Sequence, residues 1–87
     1  MKAKSGFVLR SIMGEQMLMP INDNIATFKG TVLFNETAAL LWEKLQTPVS
    51  REDLLQAILD EYEVDEATAS ADLDLILDKF NTLGIIE

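Results

Sequence analysis

Apolar and polar positions alternate only partly in the first third of the chain, and recur every three or four residues in the rest. Phe7-Val8-Leu9-Arg10-Ser11-Ile12 reads as an extended run, and Gly14 supplies a turn after it. Gln16-Met17-Leu18-Met19-Pro20 reads as a second strand, with Pro20 marking its end or an edge position. Met17 and Met19 share one face of that strand. Core packing is the expectation for them, with an adaptable thioether surface as the alternative. Asn22-Asp23-Asn24 is turn chemistry. A third extended segment is broken at Lys29-Gly30 and resumes as Thr31-Val32-Leu33-Phe34. Its last three residues are all apolar, which predicts cover on both faces.

From Asn35 onward the pattern is helical. Asn35 is a good N-cap, and Glu36 in the first turn complements the helix dipole. Ala38, Leu41, Trp42 and Leu45 form a stripe at helical spacing, so Trp42 is read as core. Thr47-Pro48 ends that helix. Ser50 with Asp53 resembles a capping box, although Asp is shorter than the preferred Glu or Gln. Leu54, Leu55, Ile58, Leu59 and Tyr62 supply the second apolar face. Asp65 caps a third helix that runs to about Leu83, with Gly84 after its end and Ile85-Ile86 folding back on the core. Three strands followed by three helices define an α+β domain: a small three-stranded antiparallel sheet, then three helices, in a winged helix-turn-helix-like arrangement. No repeat, linker or low-complexity segment divides residues 1–87, so a single domain is expected.

Composition removes whole classes of chemistry. The 87 residues hold no Cys and no His. Disulfides and Cys-ligated metal sites are excluded, along with the commonest general base. No Ser, Lys or Asp sits in a recognisable catalytic motif, and no calcium-loop spacing is present, so neither an enzyme nor a metal or cofactor site is expected. The acid pairs Glu52/Asp53 and Asp60/Glu61 are read as solvated helix faces. The apolar run after Lys2 and Lys4 is broken by Arg10, too short for a signal peptide or a membrane span, which points to a cytoplasmic protein. Net charge is −8. Residues 1–49 carry five basic and four acidic side chains, whereas residues 50–87 carry two basic and eleven acidic ones. A field of that sign repels phosphates, so nucleic acid is not an expected partner. The third helix sets Lys79 against Asp65, Glu66, Asp72, Asp74 and Asp78, which argues against a winged-helix DNA reader.

The segment Phe34-Asn35-Glu36-Thr37-Ala38-Ala39-Leu40-Leu41-Trp42 resembles the strand-to-helix junction of PqqD-like proteins, Leu-Asn-Glu-Thr-Gly/Ala-x-x-Ile/Leu-Trp. Gly6-Phe7-Val8-Leu9-Arg10 resembles the family's opening strand. Glu61-Tyr62-Glu63-Val64-Asp65 resembles its acidic-Tyr-x-Val-Asp step, and Leu83-Gly84-Ile85-Ile86-Glu87 its Leu-Gly-Leu-Ile-Glu ending. Phe34 and Ala38 depart from the more frequent Leu and Gly, and the loop from Ile21 to Gly30 is longer and more polar than in members tied to pyrroloquinoline quinone synthesis. The resemblance implies a non-catalytic recognition element for ribosomally made, post-translationally modified peptides. In such domains the leader of a precursor peptide adds as a strand to the sheet, in the cleft between the third strand and the third helix. The usual client is a separate radical S-adenosylmethionine enzyme or another peptide-modifying enzyme.

Strand addition needs an unpaired edge, and Thr31, Val32, Leu33 and Phe34 are the candidate. Val32→Pro is expected to remove one backbone donor or to break the strand. On the third helix Ala69, Leu73, Ile76, Leu77, Phe80 and Leu83 fall within about 120° of one another at ~100° per residue, and form the core stripe. Thr68, Asp72, Leu75 and Lys79 line one flank beside Ile76, offering an apolar centre with polar neighbours as the opposite wall. The bland alternative is a solvated face. Two other readings stand beside the peptide clamp: an adaptor that docks only to a partner enzyme, and a homodimer formed through the same strand edge.

Overall fold

In a computed structural model of the protein, residues 1–21 and 30–87 are described. The expected turn at Asn22-Asp23-Asn24, the break at Lys29 and most of the polar loop lie outside them. The elements run β1 (Phe7–Ile12), β2 (Glu15–Pro20), β3 (Val32–Phe34), α1 (Glu36–Lys44), α2 (Arg51–Glu61) and α3 (Glu66–Leu83). The strands form one antiparallel sheet in the order β1-β2-β3. Strands first and helices after is the α+β order expected.

Met13 and Gly14 make the hairpin turn between β1 and β2, with φ of 52° and 82°. Positive φ at both central residues gives a turn whose twist matches the strands. Met13 accepts this conformation without the glycine's freedom, and its side chain is 99% exposed.

Register assigns the two faces of the sheet. Leu9 pairs with Leu18 and Leu18 with Val32, so these residues share a face with Phe7 and Phe34. Leu18 and Phe34 are buried there, and Phe7, Leu9 and Val32 pack against the core. Val8, Arg10, Ile12, Glu15, Met17, Met19 and Leu33 fall on the other face. Two expectations are corrected here. Met17 and Met19 are half-buried on the face turned away from the helices, not in the core beside Leu18. Leu33 is 57% exposed, so β3 is not covered on both faces.

The helices begin where their caps predict. The Asn35 side chain accepts from the Ala38 N–H at 2.8 Å, and the Asp65 side chain from the Thr68 N–H at 2.7 Å. Ser50 and Asp53 form a reciprocal capping box, so the shorter acid suffices. Gly84, with φ 71°, ends α3 in the left-handed region. Helix α1 stops at Lys44, before Pro48.

Leu18, Leu41, Leu45, Leu54, Leu73, Phe80 and Ile85 are fully buried, each stabilising the fold by about 1.5–3 kcal/mol relative to exposure. Among the described residues four rings join sheet to helices. Phe34 stacks on Phe80 with centroids 5.2 Å apart, while Trp42 meets Phe7, Phe34 and Phe80 edge-on at 6.1–6.4 Å. Trp42 is therefore core, as its spacing predicts. The chain ends are bound together by an antiparallel bridge between Ala3 and Ile86. Around it the Lys4 N–H donates to the Ile85 carbonyl at 2.9 Å, and the Glu87 N–H to that of Lys2 at 2.8 Å. No helix among the described residues is long and apolar enough to cross a membrane.

Candidate functional site

Strand β3 is an edge strand, and its register decides which of its backbone groups are available. The Ile21 N–H donates to the Gly6 carbonyl at 2.9 Å, which makes Gly6 and Ile21 a hydrogen-bonded pair one step beyond Phe7 and Pro20. Antiparallel pairs alternate between bonded and non-bonded. Val8, Arg10 and Ile12 therefore bond to Met19, Met17 and Glu15, while Gln16 and Leu18 direct their backbone groups toward β3. Those groups meet Phe34 and Val32. Leu33 is left with its N–H and C=O pointing off the sheet. Pro20, which lacks an N–H, sits at a non-bonded position of the β1–β2 ladder, consistent with this phase.

The expected effect of Val32→Pro resolves accordingly. The Val32 N–H faces β2, so proline there breaks the β2–β3 ladder and takes no donor from the outer edge. The outward donor belongs to Leu33. Thr31 lies just before the strand and is exposed, Val32 is half-buried, and Phe34 is 7% exposed on the core face.

The flanks of α3 are told apart by an ion pair. Arg51 at the start of α2 donates to the Asp74 carboxylate at 2.8 Å and to the Ser70 hydroxyl at 2.8 Å. Ser70 and Asp74 lie on one side of the core stripe, which fixes α2 against that side. Thr68, Asp72, Leu75 and Lys79 lie on the other side, and all four are exposed, Leu75 to 69%. Ile76 is half-buried against the core beside them. The core stripe holds: Ala69, Leu73, Leu77 and Phe80 are buried, with Ile76 and Leu83 packed at its margin.

The stack of Phe34 on Phe80 ties β3 to α3. Thr31, Val32 and Leu33 make no hydrogen bond or ring contact with Thr68, Asp72, Leu75 or Lys79 among the described residues. The two walls meet at that aromatic floor, with Val32 and Ile76 packed on the same core. Leu33 and Phe34 also line a recess of about 480 Å³ with Gly14, Glu15, Gln16, Asn35 and Glu36. Nothing in the sequence singled out the hairpin end of this recess, because Gly14 and Glu36 become neighbours only through the β2–β3 pairing.

Among the described residues no side chain that is polar or charged is buried, and no group of three Asp or Glu is arranged to hold a metal ion. Asp65, at the start of the α3 wall, has its carboxyl held below the ordinary value of 3.8 by the hydrogen bond from the Thr68 backbone. Asp53 is lowered likewise by the Ser50 backbone.

The architecture defines a class: a small α+β domain whose three-stranded sheet has, among the described residues, an unpaired edge at β3 beside a long helix. The chain belongs to the family described as Coenzyme PQQ synthesis protein D (PqqD), which matches residues 15–86. The match takes in the junction at Phe34–Trp42, the Glu61–Asp65 step and the Leu83–Ile86 ending, while Gly6–Arg10 lies outside it. Two solved structures share the fold. "TbiB1 in Complex with the TbiA(beta) Leader Peptide" aligns with a TM-score of 0.76 at 23% identity, over 100% of this chain and 95% of that one. "Lasso peptide synthetase B1 complexed with the leader peptide" aligns with a TM-score of 0.73 at 21% identity, over 97% of this chain and 93% of that one. No protein of curated function matches.

Proposed function

We propose that this domain binds the leader segment of a ribosomally made precursor peptide as an added strand on β3, and presents it to a separate modifying enzyme without doing bond chemistry itself. The observation that carries the reading is the outward N–H and C=O of Leu33, unpaired among the described residues, beside the exposed flank of α3. Backbone bonds to that edge supply affinity, and side chains along the walls supply selection. Thr31, Val32, Leu33 and Phe34 form the strand wall, with Thr68, Asp72, Leu75, Ile76 and Lys79 opposite. Family membership, and the leader peptides held by the two proteins of like fold, support it. The client is a radical S-adenosylmethionine enzyme or another peptide-modifying enzyme, and the work is done in the cytoplasm.

The domain acts by raising the effective concentration of the peptide at the enzyme. Ordering the leader costs entropy, so binding of micromolar strength or better is expected once the edge is filled. The test is a titration of the ¹⁵N-labelled domain with the leader half of any short precursor encoded beside its gene. Shifts gathered on residues 31–34 and on Thr68–Lys79 are the expected result. An unmoved Leu33 amide at saturating leader sinks the reading.

A further inference from the structure

The exposed flank of α3 is complementary to itself. Asp72 and Lys79 stand two helical turns apart, about 10.5 Å along the axis, with Leu75 and Ile76 between them. At ~100° per residue the two charges point within about 20° of each other, on the side away from Arg51 and α2. Neither has an opposite charge three or four residues away on its own helix. Asp72 is flanked there by Thr68, Ala69, Leu75 and Ile76, and Lys79 by Leu75, Ile76, Thr82 and Leu83. Neither forms an ion pair or a side-chain hydrogen bond among the described residues. The other acids within α3 lie off this flank: Asp74 is on the Arg51 side, and Glu66 and Asp78 are turned about 100° or more away.

A negative charge, two apolar side chains and a positive charge, evenly spaced, match themselves when turned end for end. A two-fold interface requires such a pattern, because one patch must serve both partners. An antiparallel pair of α3 helices centred between residues 75 and 76 sets Asp72 of each copy opposite Lys79 of the other, twice over. Leu75, 69% exposed in the single chain, and Ile76 then meet their own counterparts across the axis.

We infer that this flank of α3 takes a second copy of the chain, as an antiparallel helix pair, and that the pair shuts the flank to peptide. Strand β3 is the poorer surface for self-association, because within its three residues only Leu33 turns its backbone groups outward. The helix flank offers about six residues a side where a standard interface uses roughly 20–30, so the pair is weak and forms in the high micromolar range. A pair of that strength yields to a ligand that binds the flank more tightly. That this ligand is a leader peptide rests on the function proposed above; the self-pairing does not. The concentrated free domain thus holds its α3 wall closed and releases it when peptide competes.

Sedimentation equilibrium of the full chain tests this. Monomer and dimer are expected to exchange as concentration rises, with added salt favouring monomer. Asp72→Lys and Lys79→Asp each set like charges opposite one another, and each alone is expected to weaken self-association by about tenfold or more. A 1:1 mixture of the two variants regains both ion pairs in a heterodimer and is expected to associate as the wild type does. The leader half of a precursor encoded beside the gene, at saturation, is expected to return the wild type to monomer. A chain that stays monomeric at millimolar concentration, a dimer indifferent to either charge reversal, a mixture that fails to associate, or leader that binds the dimer without parting it overturns the inference. Leader binding to a strictly monomeric domain sinks the pairing and leaves the leader reading standing. Pairing that follows the charges in a domain that binds no leader does the reverse.

Discussion

Phe80 is fully buried and joins three elements, touching the sheet through Phe34 and α1 through Trp42. Phe80→Ala is expected to cost about 3–5 kcal/mol, read as a lowered denaturant midpoint. Phe34→Leu, the family's more frequent residue, loses the stacking geometry worth about 0.5–1.5 kcal/mol and keeps most of the burial. The lowered carboxyls of Asp53 and Asp65 set an acid dependence. A carboxyl whose folded value lies below its unfolded one contributes stability that is complete above the ordinary value of 3.8 and is lost as pH falls through the lowered value. Acid unfolding monitored by circular dichroism should therefore steepen below pH 3.8. Asp65→Asn, which still caps the helix, should flatten that steepening. Much at this scale was legible: Asn35, Ser50 and Asp65 are caps because their side chains reach N–H groups three residues on. The exposure of Leu33 was not, since three consecutive apolar residues in a short strand do not reveal which one faces out.

Strand β3 and helix α3 are two walls whose value lies in orientation. Leu33→Pro is expected to leave a folded domain with leader affinity reduced about tenfold, because it removes the outward donor alone. Val32→Pro should instead lower stability by disrupting the ladder to Leu18. Calorimetry of the leader complex, paired with thermal melts of each variant, separates the two. Wild-type leader affinity in a folded Leu33→Pro protein would falsify the added-strand geometry. On α3, Leu75→Asp with Lys79→Glu should weaken the leader and spare the melt, both residues being exposed. The strands, the helices and the core stripe of α3 followed from periodicity. Which flank of α3 stays open did not, because it is fixed by Arg51 reaching Ser70 and Asp74 from another helix. The placement of Met17 and Met19 failed for a related reason. Period two puts them on one face together, but only the pairing with Leu18's neighbours says which face the helices cover.

At the scale of the molecule, charge divides the domain along its chain: residues 50–87, which include α2 and α3, carry two basic and eleven acidic side chains, and residues 1–49 five and four. If its work is to concentrate peptide, fusing the domain to its enzyme should raise turnover of the precursor at nanomolar concentrations. A precursor stripped of its leader should gain nothing, which mass spectrometry of the product reads directly. A gain independent of the leader would point to simple activation of the enzyme. The charge division was visible in the sequence, whereas the packing of Trp42 on Phe7 was not, since the two come together only through the closed sheet-and-helix layer. That layer is closed in part by the bridge from Ala3 to Ile86. Because the two strands of this bridge run antiparallel with both chain ends on the same side, tension applied to the ends loads its hydrogen bonds one after another. Such a joint peels at low force, so a tether pulling on both ends would open the molecule at its termini well before the sheet's own ladder felt the load.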